Sequence, residues 1–316
     1  MDDYIGIDIS KSSIDVYDGK KSYKFPNNHD GFEKIVALCP DIHNTVFIFE
    51  PTGIYSYALT EFCATNAIRI VMVGPKESRE FARSLKVRSK TDKIDAKVLY
   101  KYQSHIEQGM AQVPVVNTNA IQLQEMLNVY EGIQASKQRF KNQREAVSDK
   151  SSELIRTLNG IIENLDKEAS MLLDKIEAIL LDDDETKQRY DAMTSIPSVG
   201  KKSALYLLVF FMKYPMANAK KITALAGLDP VVRDSGIFQG RQKISKQGGE
   251  QLRNLLYLPT LSAIQHNERI KIFYNRLVSN AKTRKLAVLA AMRKLVLMAF
   301  SLYRSKESYK PLTIAN

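Results

Sequence analysis

The spacing of apolar residues changes twice along the chain and divides it into three stretches. Over the first hundred residues, short β-branched runs alternate with helical spacing. Tyr4-Ile5-Gly6-Ile7-Asp8-Ile9 is a nearly continuous apolar run, Ser13 to Tyr17 alternates, and Lys21 to Phe25 can pair with them after the turn at Asp18-Gly19. Helical spacing follows at Phe32, Ile35, Val36 and Leu38. The run Val46 to Phe49 ends at Glu50-Pro51, a helix is expected from Tyr55 to Thr65, and Ile68 to Val73 reads as a strand. The expected order is β-β-β-α-β-α-β-α.

From Leu123 onward the pattern is that of long helices. Met126, Ile133, Phe140, Val147, Leu154 and Ile161 recur every seven residues, and Leu158, Leu165, Leu172 and Ile179 form a second such series. Lys137, Arg144 and Ser151 interrupt the seam, and Ser148 to Ser152 reads as a bend. A helical hairpin and a dimer across the seam both satisfy this pattern. Asp182-Asp183-Asp184-Glu185 reads as a solvated linker, since it lacks the glycine and loop spacing of a metal site. Beyond it, Ile196-Pro197-Ser198-Val199-Gly200-Lys201-Lys202 leads into the apolar helix Ala204 to Met212, and a glycine-bearing loop is expected from Asp229 to Gly249. Amphipathic helices are expected at about Leu252–Gln265, Ile270–Val278 and Lys285–Tyr303.

Three antiparallel strands followed by helix-crossed parallel strands is the order of the ribonuclease-H-like, or RuvC-like, fold, although actin-like kinases begin the same way. The fold class expected is therefore α/β plus all-α. An α/β domain occupies 1–115, coiled-coil dimerisation helices occupy 116–185, and a mainly helical domain occupies 186–316.

Charge sharpens the reading. The 316 residues include 46 Lys and Arg against 35 Asp and Glu, but from Lys201 onward there are 21 basic and only 5 acidic residues. Lys76 to Lys101 is a second basic stretch, with nine basic and four acidic residues. Two basic surfaces suit a polyanion, and nucleic acid is the usual one. Two cysteines, Cys39 and Cys63, exclude a disulfide framework and a four-cysteine zinc site, and the four histidines show no ligand spacing. Chemistry is left to carboxylates and hydroxyls. The acidic start Met1-Asp2-Asp3 is unlike a signal peptide, and the longest uninterrupted apolar run is too short for a bilayer, so a cytoplasmic protein with no membrane partner is expected.

Asp8 lies in the first strand, Glu50 at the C-terminal end of a later one, and Asp92 and Asp95 are three apart and share a helix face. Converging, they raise one another's pKa and call for a hard cation such as Mg²⁺. Two such ions about 4 Å apart suit phosphodiester cleavage. Singly, each acid has an ordinary role: Asp8 in a strand-end turn, Glu50 as a helix cap, Asp92 and Asp95 as partners of Lys93 and Lys97. Ser235 stands between Asp234 and Gly236, with Arg233, Arg241, Lys243 and Lys246 near in sequence. It reads either as a nucleophile beside a phosphate or as a turn serine.

Four segments, taken together and in this order, resemble the DEDD-type insertion-sequence transposases, a family that also contains the Piv-type pilin-gene invertases. They are Ile5-Gly6-Ile7-Asp8-Ile9-Ser10-Lys11, Phe49-Glu50-Pro51-Thr52-Gly53, Arg88-Ser89-Lys90-Thr91-Asp92-Lys93-Ile94-Asp95-Ala96 and Ser235-Gly236. The resemblance implies a RuvC-like nuclease domain, a coiled coil and a C-terminal transposase domain. It implies Asp8, Glu50, Asp92 and Asp95 as catalytic acids holding two Mg²⁺ ions. It implies Ser235 as a nucleophile that links covalently to DNA, completed by a carboxylate site that another subunit can supply. It also implies double-stranded DNA as substrate, a structured bridge RNA as guide, a homo-dimer or homo-tetramer, and a bacterial cytoplasm with action at the nucleoid.

Nucleic-acid contacts are expected from Lys86, Arg88, Lys90 and Lys93, and from Arg233, Arg241, Lys243 and Lys246. A third set, Gly200, Lys201 and Lys202, lies in a segment that resembles a helix-hairpin-helix, with Ser198 where the first hairpin glycine usually stands. The expected function is that of an insertion-sequence transposase or site-specific recombinase. The alternatives are a Piv-like invertase, a RuvC-type nuclease, and a non-enzymatic DNA-binding coiled-coil protein. An actin-like sugar kinase is disfavoured, because it needs a glycine- and threonine-rich phosphate turn where this chain has Ser10-Lys11-Ser12-Ser13.

Overall fold

The computed structural model describes residues 2–86, 91–231, 234–235, 238–239, 243–245, 248 and 250–312. They form two compact units, Met1–Val116 and Asn117–Asn316.

The first unit is a mixed α/β sheet. Its elements are β1 (Asp3–Ile9), β2 (Ser13–Tyr17), β3 (Ser22–Pro26), α1 (His29–Val36), β4 (Thr45–Phe49), α2 (Tyr57–Thr65), β5 (Arg69–Met72), α3 (Pro75–Ser84) and α4 (Asp92–Lys101). The strand order is β3-β2-β1-β4-β5, antiparallel through β1 and parallel from β1 to β5. Strand alternation sorts the core into two layers. Ile5, Ile7, Ile9, Phe47 and Phe49 pack with Phe32, Ile35, Leu59 and Phe62 of α1 and α2. Val46, Ile48, Val71 and Val73 face the other way, against Phe81, Val98 and Leu99 of α3 and α4.

Gly6 lies on that second face, two residues before Asp8. A Cβ there would overlap the carbonyl oxygen of Ala96 and the amide nitrogen of Tyr100. The missing side chain is what lets the α4 backbone lie directly on β1.

The second unit is helical. It contains α5 (Thr118–Ala146), α6 (Glu153–Leu181), α7 (Asp184–Thr194), α8 (Lys201–Lys213) and α9 (Ala219–Leu225). Four two-residue strands follow, β6 (Pro230–Val231), β7 (Asp234–Ser235), β8 (Phe238–Gln239) and β9 (Lys243–Ile244), and then α10 (Glu250–His266), α11 (Glu268–Ser279) and α12 (Arg284–Ser305). The heptad region folds back on itself through the break at residues 147–152, and α5 packs along α6. The polar interruptions of the seam are used across this hairpin: Lys137 pairs with Asp166 at 2.5 Å, and Arg144 donates to Asn159 at 2.9 Å. Leu123, Leu127, Tyr130, Ala169, Ile176 and Leu180 share one core with α7, α8, α10 and α12, so the base of the hairpin and the C-terminal helices are a single body. The apolar heptad residues farther out are less covered. Ile133, Phe140 and Leu165 are half-buried, and Leu154 is 54% exposed.

The acidic run serves as a junction. Asp183 caps α7 by accepting from the Thr186 amide at 2.7 Å, and Glu185 pairs with Arg189 and Lys306. Where a loop was expected from Asp229 to Gly249, β6 pairs with β9 and β7 with β8, both antiparallel. These strands are too short for an alternation signal, which is why the sequence did not show them. Among the described residues α12 alone is long and apolar enough to cross a membrane, and half of that stretch is buried. Ala287, Ala291, Leu295 and Ala299 are fully buried in the core of this unit.

Replacing Gly6 by Ala forces α4 off the sheet. The variant is expected to lose about 1–3 kcal/mol of stability in denaturant melts, and to lose catalytic activity even where it remains folded.

Candidate active site

The site is built at one end of the sheet of the first unit. In the register Ile7 lies beside Phe49, so Asp8 stands level with Glu50, the residue directly after β4. On its other side Asp8 is the cross-strand partner of Asp15, and Asp15 is the partner of Lys24. The row Lys24, Asp15, Asp8, Glu50 therefore crosses four strands at one level. Alternation puts Asp8 with Gly6, and Glu50 with Val46 and Ile48, on the face that α4 covers.

Local chemistry fixes each carrier. Ser10 donates to the Ser13 carbonyl at 2.7 Å and closes the turn from β1 to β2, so hydroxyls that a kinase would turn to phosphate are spent on the turn. After Glu50, Thr52 donates to the Glu50 carbonyl at 3.1 Å, and Gly53 takes a left-handed φ of 55° that steers the chain off the sheet. Thr91 is the N-cap of α4, its hydroxyl accepting from the Ile94 amide at 3.4 Å. The cap starts the helix so that Asp92 and Asp95 both fall in its first turn.

The electrostatics register the crowding. Burial pushes the Asp8 carboxyl up to about 6, and the negative charges of Asp95, Asp92, Asp15 and Glu50, in that order, push the same way. Each of the other three expected acids is thus close enough to act on Asp8. The donors are all hard carboxylate oxygens and their repulsion is of the kind a cation relieves, so the set fits Mg²⁺ chemically. No three of them have closed to a coordination shell. Among the described residues, the one trio with ligand atoms all within 4.8 Å is His29, Asp30 and Glu33, exposed on α1.

Asp15 was not anticipated from the sequence. It is 3% exposed and pairs with Lys24 at 3.3 Å. The signal was present: an acid between the apolar Ile14 and Val16 in a short strand.

The expected nucleic-acid contacts fall in different settings. Lys86, with a left-handed φ of 56°, and Lys93 on α4 are exposed. Lys201 is held by Glu177 at 2.5 Å and Asp174 at 3.2 Å, which raises its pKa. Lys202 pairs with Glu131 at 3.3 Å and lies over the rings of Tyr130 and Tyr206. Both lysines are therefore neutralised within the helical unit. Gly200 caps α8 from an extended conformation, and Ser198 has a φ of 81°, the region glycine favours. Ser235 is the cross-strand partner of Phe238 in the β7–β8 pair. Lys243 belongs to β9. Arg88, Lys90, Arg233, Arg241 and Lys246 lie outside the described residues.

Two family models match the chain. One, described as a transposase of the DEDD IS110 type, covers residues 5–150 and so all four acids. The other, the transposase IS116/IS110/IS902 family, covers residues 190–275, which include Ser235. The protein is a DNA recombinase of the transposase class. Over 97% of both chains it is 27% identical to a pilin gene-inverting protein of Moraxella bovis, and equally to that of Moraxella lacunata. A stretch of 97 residues, 31% of this chain and 24% of the relative, is 31% identical to a 42 kDa protein of insertion element IS900 of Mycobacterium paratuberculosis. The chain belongs to the DEDD transposase family of the IS110 type.

The raised pKa of Asp8 sets a pH dependence. Because the folded value lies above the unfolded one, Asp8 costs no stability well below its unfolded pKa of 3.8; its penalty builds as pH rises from there to about 6 and is fully present above that. In chelator, Asp8→Asn is expected to stabilise the protein by about 1–3 kcal/mol at pH 8, with the gain vanishing well below pH 3.8. Denaturant melts at the two pH values measure this, and equal stability of both proteins at pH 8 refutes it.

Proposed function

We propose that this chain cuts and rejoins double-stranded DNA, with Asp8, Glu50, Asp92 and Asp95 as a Mg²⁺-binding catalytic quartet on a RuvC-like sheet and Ser235 as a nucleophile. The observation that carries the proposal is Asp8, half-buried and crowded by acids from three other segments, at the strand end where open α/β sheets place their ligands. Buried like charges of this kind are a functional signature, because they oppose folding and serve no packing role.

When bound there, Mg²⁺ supplies Lewis-acid stabilisation of charge on phosphate oxygens. The protein's own part is positional. The sheet fixes Asp8 and Glu50 rigidly, while the capped first turn of α4 presents Asp92 and Asp95 from above. In the strand-transfer step, Ser235 Oγ loses its proton and bonds to phosphorus as the P–O bond to a deoxyribose oxygen breaks and that oxygen takes up a proton. Attack by a hydroxyl of the second strand then releases the serine and restores the phosphodiester. The basic C-terminal stretch supplies the grip on DNA, and a structured RNA guide selects the target.

Inversion of a DNA segment, the action named for the Moraxella relatives, is the second reading. It is favoured by similarity that runs over nearly all of both chains.

Assays with supercoiled DNA test the chemistry. Glu50→Ala and Asp95→Ala are each expected to lower strand exchange by at least about a hundredfold. Ser235→Ala is expected to bind DNA normally yet form no adduct that resists denaturant. Wild-type rates of junction formation in a folded Ser235→Ala protein return the serine to a turn role.

The half-buried heptad residues on the outer hairpin suit a homo-oligomer. Leu165→Glu is expected to halve the mass seen in light scattering, and an unchanged mass excludes the hairpin as the contact.

A further inference from the structure

We propose that the groove between α11, α12 and the segment that follows α12 binds an unpaired stretch of nucleic acid, with Arg269, Arg276 and Lys294 gripping its phosphodiester backbone. The proposal rests on the reading of the protein as a nucleic-acid enzyme. It assigns a binding site apart from the acidic quartet and the serine segment.

The groove is a cavity of about 740 Å³ walled by the two helices and by residues 307–312. Its third wall is fixed in place. Lys306 ends α12 in a left-handed conformation and pairs with Glu185 at 2.6 Å. The Tyr309 amide donates to Ser195 Oγ at 2.7 Å, and the Tyr309 hydroxyl donates to the buried Asn267 side chain at 3.0 Å. A segment pinned at three points makes a preformed wall, which lowers the ordering cost of binding.

The charge in the groove is uncompensated. Arg269, Arg276, Lys294 and Lys310 line it against one acid, Glu307, and that acid pairs with Lys310 at 3.3 Å. Among the described residues no carboxylate pairs with Arg269, Arg276 or Lys294. Aromatic rings hold them instead: Lys294 lies 4.5 Å and Arg276 5.5 Å from the centroid of Phe273, and Arg269 lies 5.7 Å from that of Tyr309. A ring quadrupole orients a cation without cancelling its charge. The buried Nε of Arg269 has no hydrogen-bond partner either. Three cations that line one groove without a carboxylate partner are free to pair with the successive charges of an anionic ligand.

The shape selects the ligand class. Beside the cations the lining carries apolar side chains, among them Leu297, Met298 and Leu302. A duplex keeps its base faces stacked inside and offers mainly phosphates to such a wall. An unpaired strand offers phosphates to the cations and base faces to the apolar side chains, the pairing that single-strand grooves use.

Fluorescence anisotropy on the full chain tests this, with a labelled single-stranded DNA, a single-stranded RNA of the same sequence, and the corresponding duplex, all at one salt concentration. The double variant Arg276→Glu with Lys294→Glu is expected to weaken binding of at least one single strand by about tenfold or more while changing duplex affinity less than about twofold. The more strongly affected strand identifies the natural ligand as DNA or RNA. Arg276→Lys with Lys294→Arg is expected to keep affinity, and the milder Arg276→Ala with Lys294→Ala serves if the charge reversal unfolds the protein. Single-strand binding unchanged by either disruptive pair overturns the proposal, as does an equal loss for strand and duplex. In both cases the reading of the quartet stands. If the wild-type protein binds neither single strand nor duplex, the nucleic-acid reading falls with it.

Discussion

A single missing side chain organises the first unit. A helix on a sheet normally stands off by the thickness of two layers of side chains, but at Gly6 there is none, and the α4 backbone at Ala96 and Tyr100 rests on β1. Strand alternation places Asp8 on the same face as Gly6, two residues on. Helical periodicity places Asp92 and Asp95 on the side of α4 that also carries Ala96 and Leu99, both buried. The parallel register then sets Glu50 level with Asp8. Acids from three distant segments come near Asp8's end of the sheet because a close approach, a strand period and a register agree. A shift in any one of them moves at least one carboxylate to the wrong face or the wrong level.

The cluster so formed works against the fold that carries it. Asp8 is raised first by burial and then by every neighbouring acid, and Lys24 offsets only Asp15, at one end of the row. What holds the geometry is the apolar sheet beneath. Ile7, Val46, Phe47, Ile48 and Phe49 are completely buried, so the strands bearing Asp8 and Glu50 cannot drift apart to relieve the repulsion. Departures from local consistency of this kind are expected where function has set the sequence.

Much of this was legible in advance, for identifiable reasons. The strand and helix order of the first unit follows from strong apolar runs with clear periods, and α10, α11 and α12 from long amphipathic stretches. The four acids were legible as candidates, as residue types at strand ends and on one helix turn, and the structure brings the other three near enough to act on Asp8. Asp15 was missed because a single acid in a strand looks solvent-facing until the pairing shows that it is buried beside Asp8. The heptads left hairpin and dimer equally open, since a seam does not say which chain fills it. The hairpin was decided by partners of Lys137 and Arg144 that lie across the bend, Asp166 and Asn159. The four short strands between α9 and α10 carry too few residues to show any period.

Net charge was the weakest guide, because it counts cations without their partners. Lys201 and Lys202 were attractive as phosphate ligands in the sequence, directly after a glycine at a helix start, yet carboxylates from α5 and α6 neutralise both. Their role in the fold is to lock α8 to the hairpin, and Lys202 with Glu131 and the Tyr130 and Tyr206 rings forms one satisfied polar network. Arg269, Arg276 and Lys294 drew no attention in the sequence, being scattered over two amphipathic helices. Rings hold them, and among the described residues no acid pairs with them. Long-range attraction for a polyanion depends on the charge that survives pairing rather than on the number of basic residues. In this helical unit part of that surviving charge lies where the sequence is least conspicuous, on Arg269, Arg276 and Lys294 in the groove beside α11 and α12.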